Sequence, residues 1–152
     1  MKTGRTLRLD SFVPYRLSIA SNTVSDVIAS AYRSLFGLTI AEWRLVAILA
    51  EHDGVTQLDL GEATRMDKVT VSRAAIGLVD RGLVKRAPNP ADQRSHLLSL
   101  TKDGWSLYDQ VAPKALALED AVLAGFDKAE VAQLMSMLER LEAAALRLED
   151  ES

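Results

Sequence analysis

Four candidate helix starts that repeat one local device constrain the fold of this chain more than any other feature. Three have the spacing of a capping box, in which two residues three positions apart each accept a hydrogen bond from the other's backbone: Thr39 with Glu42, Thr56 with Asp59, and Asp127 with Glu130. Asp67 can cap a fourth helix through its carboxylate. Apolar residues flank all four caps with the spacing of a hydrophobic staple. The sequence therefore predicts a mainly helical fold whose helix starts are defined locally.

Helix ends and a β-hairpin complete the predicted order of elements. Gly54 and Gly82 stand where a left-handed residue would end a helix. Helices are expected near residues 12–36, 40–52, 57–64, 68–81, 102–124 and 128–148. Between the fourth and fifth helices, apolar-rich runs at 83–87 and 95–100 flank a turn cluster at 89–93, which predicts a hairpin. The fold class is therefore mainly α with a small two- or three-stranded β-wing, in the order of a winged helix-turn-helix.

The length of 152 residues suits one domain, predicted as residues 1–152 with two lobes. Residues 38–101 form the winged-helix lobe, and residues 10–37 and 102–150 form a helical dimerisation lobe. Apolar stripes run along the helices of the second lobe, and they include Leu17, Val24, Ile28, Leu107, Val111, Leu134, Leu138 and Leu141. Such stripes must be buried. They either close the monomer's own core or pair with a second copy, and pairing is favoured because symmetric dimers are the commonest oligomers.

Charge is distributed unevenly along the chain, although the net charge is only −3. Residues 65–102 carry eight basic and three acidic side chains, whereas residues 103–152 carry four basic and eleven acidic ones. Attraction of an anion depends on the local field rather than on the total charge. The basic segment is therefore the predicted binding region for a polyanion such as double-stranded DNA.

The predicted helix at residues 68–81 has one face suited to a core and one suited to DNA. A rotation of 100° per residue places Val71, Ala74, Ala75 and Leu78 on the inward face. Arg73 can form a bidentate pair with guanine, and Val69 can contact a thymine methyl group. The alternative for each polar residue is an ordinary solvated helix face. The candidate DNA contacts on this helix are Lys68, Val69, Thr70, Ser72 and Arg73.

The predicted wing adds further candidates for DNA contact. Arg86 lies on its first strand, and Arg94 follows Asp92 at the turn. An arginine on a projecting loop can enter a narrow minor groove, where the negative potential is enhanced. Asp92 can orient that guanidinium without touching DNA. The alternative is a local ion pair that only stabilises the turn.

Several motifs together resemble the MarR family of bacterial transcription regulators. They are residues 38–44, residues 67–73, residues 80–86, and the run from Asp92 and Arg94 to Leu100-Thr101. The resemblance covers about residues 12–148. It implies a dimer whose wings straddle DNA, with Arg94 in the minor groove and the helix 68–81 in the major groove. It also implies small anionic or aromatic effectors that alter DNA affinity.

The turn before the helix 68–81 departs from that family pattern. The family often has Leu-Gly there, whereas this chain has Thr64-Arg65. If the turn requires a positive φ, Arg65 is strained. If the turn uses another geometry, Arg65 is available to a phosphate. The chain also has no cysteine, which excludes thiol redox sensing and disulfides.

A sequence-specific DNA-binding regulator, acting as a ligand-responsive repressor on a pseudo-palindromic operator as a homodimer, is the favoured function. An enzyme is disfavoured because the only two histidines lack a paired nucleophile and no phosphate-binding or metal-binding motif occurs. No cofactor or metal is therefore expected. The remaining alternative is a helical adaptor or antirepressor that keeps the fold without binding DNA.

The location of the protein and of its effector are further expectations. No long apolar run or signal-like N-terminus occurs, so a cytoplasmic protein without a membrane partner is expected. A small aromatic or anionic effector is expected in a cleft between the two lobes. The candidate liners are Tyr15, Arg16 and Trp43, although core packing is the favoured role of Trp43.

Overall fold

A computed structural model describes residues 4–152 of the chain. Residues 1–3, which the predicted single domain of residues 1–152 includes, lie outside the described residues. After a short 3-10 turn at Leu9–Ser11, the elements are α1 (Val13–Phe36), α2 (Ile40–Glu51), α3 (Gln57–Thr64), α4 (Lys68–Asp80), β1 (Val84–Pro88), β2 (His96–Leu100), α5 (Lys102–Val122) and α6 (Lys128–Asp150). The six predicted helices and the hairpin are confirmed, and each helix end lies within two residues of its expected position.

The helix starts have the hydrogen bonds that the sequence predicts. Thr39 Oγ1 accepts from the Glu42 backbone N–H over 3.0 Å, and Glu42 returns the bond through Oε1. The boxes at the starts of α3 and α6 are formed in the same way. Each box satisfies two backbone N–H groups that a helix start otherwise leaves unpaired. These local bonds define where the helices begin.

The helix ends agree with the prediction at one glycine and differ at the other. Gly82 has a φ of +72°, and the bonds from Gly82 N to Val79 O and from Leu83 N to Leu78 O form a Schellman motif at the end of α4. Gly54 also has a φ of +72°, but α2 ends earlier, with His52 as an extended C-cap. The prediction that Gly54 terminates α2 is therefore wrong. Gly54 instead belongs to the turn that leads the chain into Val55.

The chain forms two compact units, the first reaching to Ala115 and the second comprising Leu116–Ser152. In the first unit, α2, α3 and α4 pack with the hairpin around a fully buried apolar core. Its largest buried side chains are Leu38, Leu45, Val46, Leu60, Val71, Leu78, Leu98 and Val111. The antiparallel sheet aligns Val84 with Leu100 and Pro88 with His96. Val55 adds a single bridge to Leu98, so the wing is anchored to the segment that precedes α3.

The long helices at the two ends of the chain keep much apolar surface exposed. On α1, Leu17 and Val24 are 39% and 38% exposed, and on α6, Leu138 and Leu141 are 40% and 43% exposed. No side chain of α6 is buried. The predicted stripes of α1 and of α6 are therefore only partly covered in the described residues, which favours a partner for them, whereas Val111 of the α5 stripe is fully buried. None of the helices in residues 4–152 combines the length and the apolarity needed to cross a membrane.

Candidate nucleic-acid interface

Helix α4 presents its two faces as the sequence predicts. Val71, Ala74, Ala75 and Leu78 are each at most 5% exposed, and they pack α4 into the core of the first unit. On the outer face Lys68, Val69 and Arg73 are exposed, whereas Thr70 and Ser72 are half-buried. Val69 is 59% exposed, an exposure that packing inside the protein does not explain. The outer face of α4 thus offers cationic, small polar and apolar groups to a partner.

The N-cap of α4 restricts what Thr70 can do. Asp67 Oδ1 accepts from the Thr70 backbone N–H over 2.8 Å, and the Thr70 hydroxyl donates to Asp67 Oδ2 over 3.0 Å. These two bonds hold the pKa of Asp67 below its usual value, because they stabilise the carboxylate. Since the hydroxyl proton is engaged, the Thr70 oxygen can accept a bond from a base amino group. It cannot donate to a phosphate while the cap is intact.

Arg65 lies in the turn between α3 and α4 in the left-handed conformation, with φ 59° and ψ 20°. It is the one non-glycine residue with a positive φ among residues 4–152. The neighbouring Thr64 hydroxyl donates to Leu60 O and accepts from Met66 N. These two hydrogen bonds hold the backbone on both sides of Arg65. The positive φ on which the expectation of strain depends is therefore present, and the alternative of another turn geometry is wrong.

The tip of the wing is held by side chain to backbone hydrogen bonds. Asn89 accepts from Ala91 N over 3.0 Å and donates to the Ser95 hydroxyl over 2.9 Å. Asp92 Oδ1 accepts from Arg94 N over 3.0 Å. Within residues 4–152, no ion pair joins Asp92 to the Arg94 guanidinium, so the predicted contact is corrected. The Asp92 carboxylate accepts from the backbone two residues along the chain, as in an Asx turn, and so orients the turn and not the guanidinium. The Arg94 side chain is exposed.

Two grooves flank the first turn of α3 on this side of the first unit. The groove between α3 and α4 has a volume of about 650 Å³ and is lined by Arg65, Lys68 and Ser72 among others. The cleft between α3 and the wing has a volume of about 450 Å³ and is lined by Arg86, Asp92, Arg94 and His96 among others. Five of the eight predicted DNA contacts therefore line the two grooves beside α3. They come from α4, from the wing, and from the turn between α3 and α4.

Gln57 and Leu58, at the start of α3, line both grooves and were missed by the sequence analysis. Leu58 is 64% exposed, although the neighbouring Leu60 is fully buried. The signal was present, because a rotation of 200° separates two residues that are two positions apart on a helix. A helical wheel centred on Leu60 would have placed Leu58 on the outside.

The candidate effector residues are not brought together by the described contacts. Trp43 stacks with Tyr108 at a centroid distance of 5.9 Å and packs at 5.6 Å against Tyr32, whose pKa is raised by burial. Tyr15 and Arg16 are exposed on α1, and no ring contact or hydrogen bond within residues 4–152 joins them to Trp43. An aromatic cluster in the first unit is thus the observed environment of Trp43. The described residues also contain no group of three or more acidic or histidine side chains that could hold a metal ion.

Comparison with known proteins adds a family and a shared fold. A model of the MarR family matches residues 36–95. The chain is 30% identical over 105 residues to the uncharacterized HTH-type transcriptional regulator YwoH of Bacillus subtilis, covering 67% of this chain and 76% of that protein. It is 26% identical over 104 residues to the HTH-type transcriptional repressor NicR of Pseudomonas putida, covering 68% of this chain and 66%, just under two thirds, of that protein.

The fold is also similar to that of a solved structure of BpsR from Bordetella bronchiseptica. That structure concerns the regulation of DNA binding of BpsR by 6-hydroxynicotinic acid. The TM-score is 0.83, the sequences are 23% identical, and the superposition covers 91% of this chain and 98% of the other. At this identity the likeness shows a common fold.

Proposed function

The chain belongs to the MarR family of transcription regulators, and from that membership we propose that it is a ligand-responsive repressor that binds a pseudo-palindromic operator as a homodimer. The observation that carries the proposal is the exposure of cationic side chains on α4 and the wing, two neighbouring elements of the first unit. Lys68 and Arg73 of α4, and Arg86 and Arg94 of the wing, are all exposed. Such a surface attracts the phosphate backbone, which supplies much of the affinity of DNA-binding proteins.

Each proposed contact follows from the position of its side chain. The 13 residues of α4 form a rod of roughly 20 Å, enough to cross a major groove roughly 12 Å wide. Arg73 pairs with a guanine, Val69 meets a thymine methyl group, and Thr70 accepts from a base amino group. Phosphates are contacted by the remaining cationic and polar candidates: Arg65, Lys68, Ser72 and Arg86. Arg94 enters the minor groove, and Asp92 sets the wing turn that presents it.

The homodimer is proposed from the apolar surface that one copy leaves exposed. The stripes of α1 and α6 described above need a cover, and a second copy supplies the same stripes by two-fold symmetry. Residues 10–37 and 102–150 are therefore the proposed dimerisation lobe, and residues 38–101 the DNA-binding lobe. Two α4 helices related by a two-fold axis would read half-sites roughly 34–36 Å apart.

An effector of small aromatic or anionic chemistry is part of the proposal. Its support is the family membership together with the fold shared with BpsR, whose DNA binding 6-hydroxynicotinic acid regulates. The candidate liners remain Tyr15, Arg16 and Trp43. Soaking with salicylate-like anions should place a ligand against these residues, and a ligand found elsewhere would remove them from the proposal. The protein is further proposed to act in the cytoplasm, as a regulator rather than an enzyme.

Selection of bound sequences from random duplexes tests the central proposal. We expect a near-palindrome, and we expect affinity for it to fall steeply with salt as counterions return to the phosphates. Arg94→Ala should weaken binding without lowering the unfolding temperature, since the wing tip is outside the core. Arg44→Ala is the matched control, because Arg44 is an exposed arginine of α2 that lines neither groove. No binding to any duplex at low salt would instead favour an adaptor.

A further inference from the structure

The cleft between α3 and the wing contains a titratable side chain that the proposed DNA contacts do not use. His96, the first residue of β2, lines this cleft together with Arg86 and Arg94. The cleft has a volume of about 450 Å³, large enough to admit a phosphate group. Two arginines and one histidine therefore line one space from three positions of the wing.

The charges around His96 leave the cleft suited to an anion. β1 contributes Arg86, and the wing turn contributes Arg94 and the carboxylate of Asp92. Asp92 is engaged with the Arg94 backbone N–H, as described above. From α3, the Asp59 carboxylate is directed to the Thr56 N–H at the start of the helix and does not line the cleft. The position opposite His96 on β1 is Pro88, which carries no charge.

The backbone around His96 is held in place, so the position from which the imidazole extends is fixed in the wing. His96 is paired with Pro88 in the antiparallel sheet, and Leu98, two residues later, is bridged to Val55 by two hydrogen bonds of 3.0 and 2.8 Å. Ser95, immediately before, is bonded to Asn89. An anion that enters the cleft beside Arg86 therefore meets a lining that also includes His96.

We propose that His96 joins Arg86 as a ligand for a DNA phosphate in this cleft, and that it takes up a proton on binding, so that DNA affinity depends on pH. Histidine is the side chain whose charge changes between pH 5 and 8. A phosphate bound beside Arg86 gives a protonated imidazole an opposite charge, so binding and proton uptake are linked. The inference rests on the proposed function, because it requires DNA in this cleft.

Fluorescence anisotropy with the selected duplex, at pH 6 and pH 8 and fixed salt, tests the proposal. The wild type should bind more tightly at pH 6 by about 3- to 10-fold for each bound cleft, and by about 10- to 100-fold for a dimer with both clefts bound, since one proton is taken up per cleft. The slope of log K against log salt should also be steeper at pH 6, by about 0.9 for each additional phosphate neutralised. A purely structural role of His96 would not change this slope with pH.

Three variants separate His96 from other causes. His96→Gln should remove both pH effects, and His96→Lys should bind at pH 8 as tightly as the wild type does at pH 6. His52→Gln is the matched control, because His52 is the only other histidine and caps the end of α2. It should keep both pH effects. Thermal unfolding of each variant at both pH values checks that the fold is retained.

The outcomes distinguish this inference from the proposed function. If the wild type binds the duplex equally well at both pH values, or if His96→Gln keeps the pH dependence, the role of His96 is overturned while DNA binding stands. If the dependence disappears in His52→Gln instead, the proton is taken up elsewhere. If no duplex is bound at either pH, the proposed function itself fails.

Discussion

Arg65→Gly should be more stable than Arg65→Ala, and both variants should weaken binding to DNA. Arg65 adopts the left-handed conformation, which costs an L-residue roughly 1–2 kcal/mol because of its Cβ. Glycine removes that cost but loses about 0.5–1 kcal/mol of additional chain entropy on folding. The difference predicts that the free energy of unfolding is about 0.5–1 kcal/mol higher for Arg65→Gly than for Arg65→Ala. Both variants lose the arginine side chain, so this comparison depends only on the backbone.

The assay is urea unfolding of Arg65→Gly and Arg65→Ala at one protein concentration, because the stability of a dimer depends on concentration. Alanine also lacks the charge of arginine but keeps the Cβ, so it isolates the backbone effect. The gain for glycine corresponds to a rise of roughly 1–4 °C in the unfolding temperature of a chain of this size. If Arg65→Gly proves no more stable than Arg65→Ala, the strain assigned to this turn is refuted.

The DNA side of the same prediction uses the charge of Arg65. If it neutralises one phosphate per half-site, both variants should reduce the slope of log K against log salt by about 0.9 per contact. Arg65→Lys, which keeps a charge and the strained backbone, should retain the slope of the wild type. An unchanged slope in Arg65→Gly would remove Arg65 from the interface and leave its conformation without a binding role.

Three further predictions concern packing and capping in the first unit. Gly104→Ala should destabilise by about 1–3 kcal/mol in urea unfolding, because its Cβ would overlap the backbone carbonyl of Leu83, whereas Gly125→Ala, with no atom nearby, should be neutral. The lowered pKa of Asp67 adds stability that is present above its unfolded pKa and lost as pH falls through the folded value. The Asp67→Asn variant should therefore lose less stability than the wild type on acidification below about pH 4. Trp43→Ala should cost about 2–4 kcal/mol and change the near-UV circular dichroism, and Trp43→Phe should cost less. Equal stability of Gly104→Ala and Gly125→Ala would contradict the first prediction. The second would be contradicted if Asp67→Asn and the wild type lost the same stability on acidification. The third would be contradicted if Trp43→Ala were as stable as the wild type.

Much of the fold and of α4 was predictable because the signals are local. A capping box involves residues three positions apart, and the buried face of α4 follows from a fixed rotation per residue. Both depend on helix geometry and not on the rest of the chain. The predicted inward residues of α4 are all buried, and the predicted starts of α2, α3 and α6 have their hydrogen bonds.

By itself, then, the sequence determined where helices begin, which side of α4 is inward, and where positive charge is concentrated. Tertiary structure alone decided which distant residues meet. It showed that Val55 bridges to Leu98, that Trp43 stacks with Tyr108, and that His96 shares a cleft with Leu58 of α3. The physical reason is that such contacts join residues through the path of the chain in space, and no period or spacing along the sequence encodes that path.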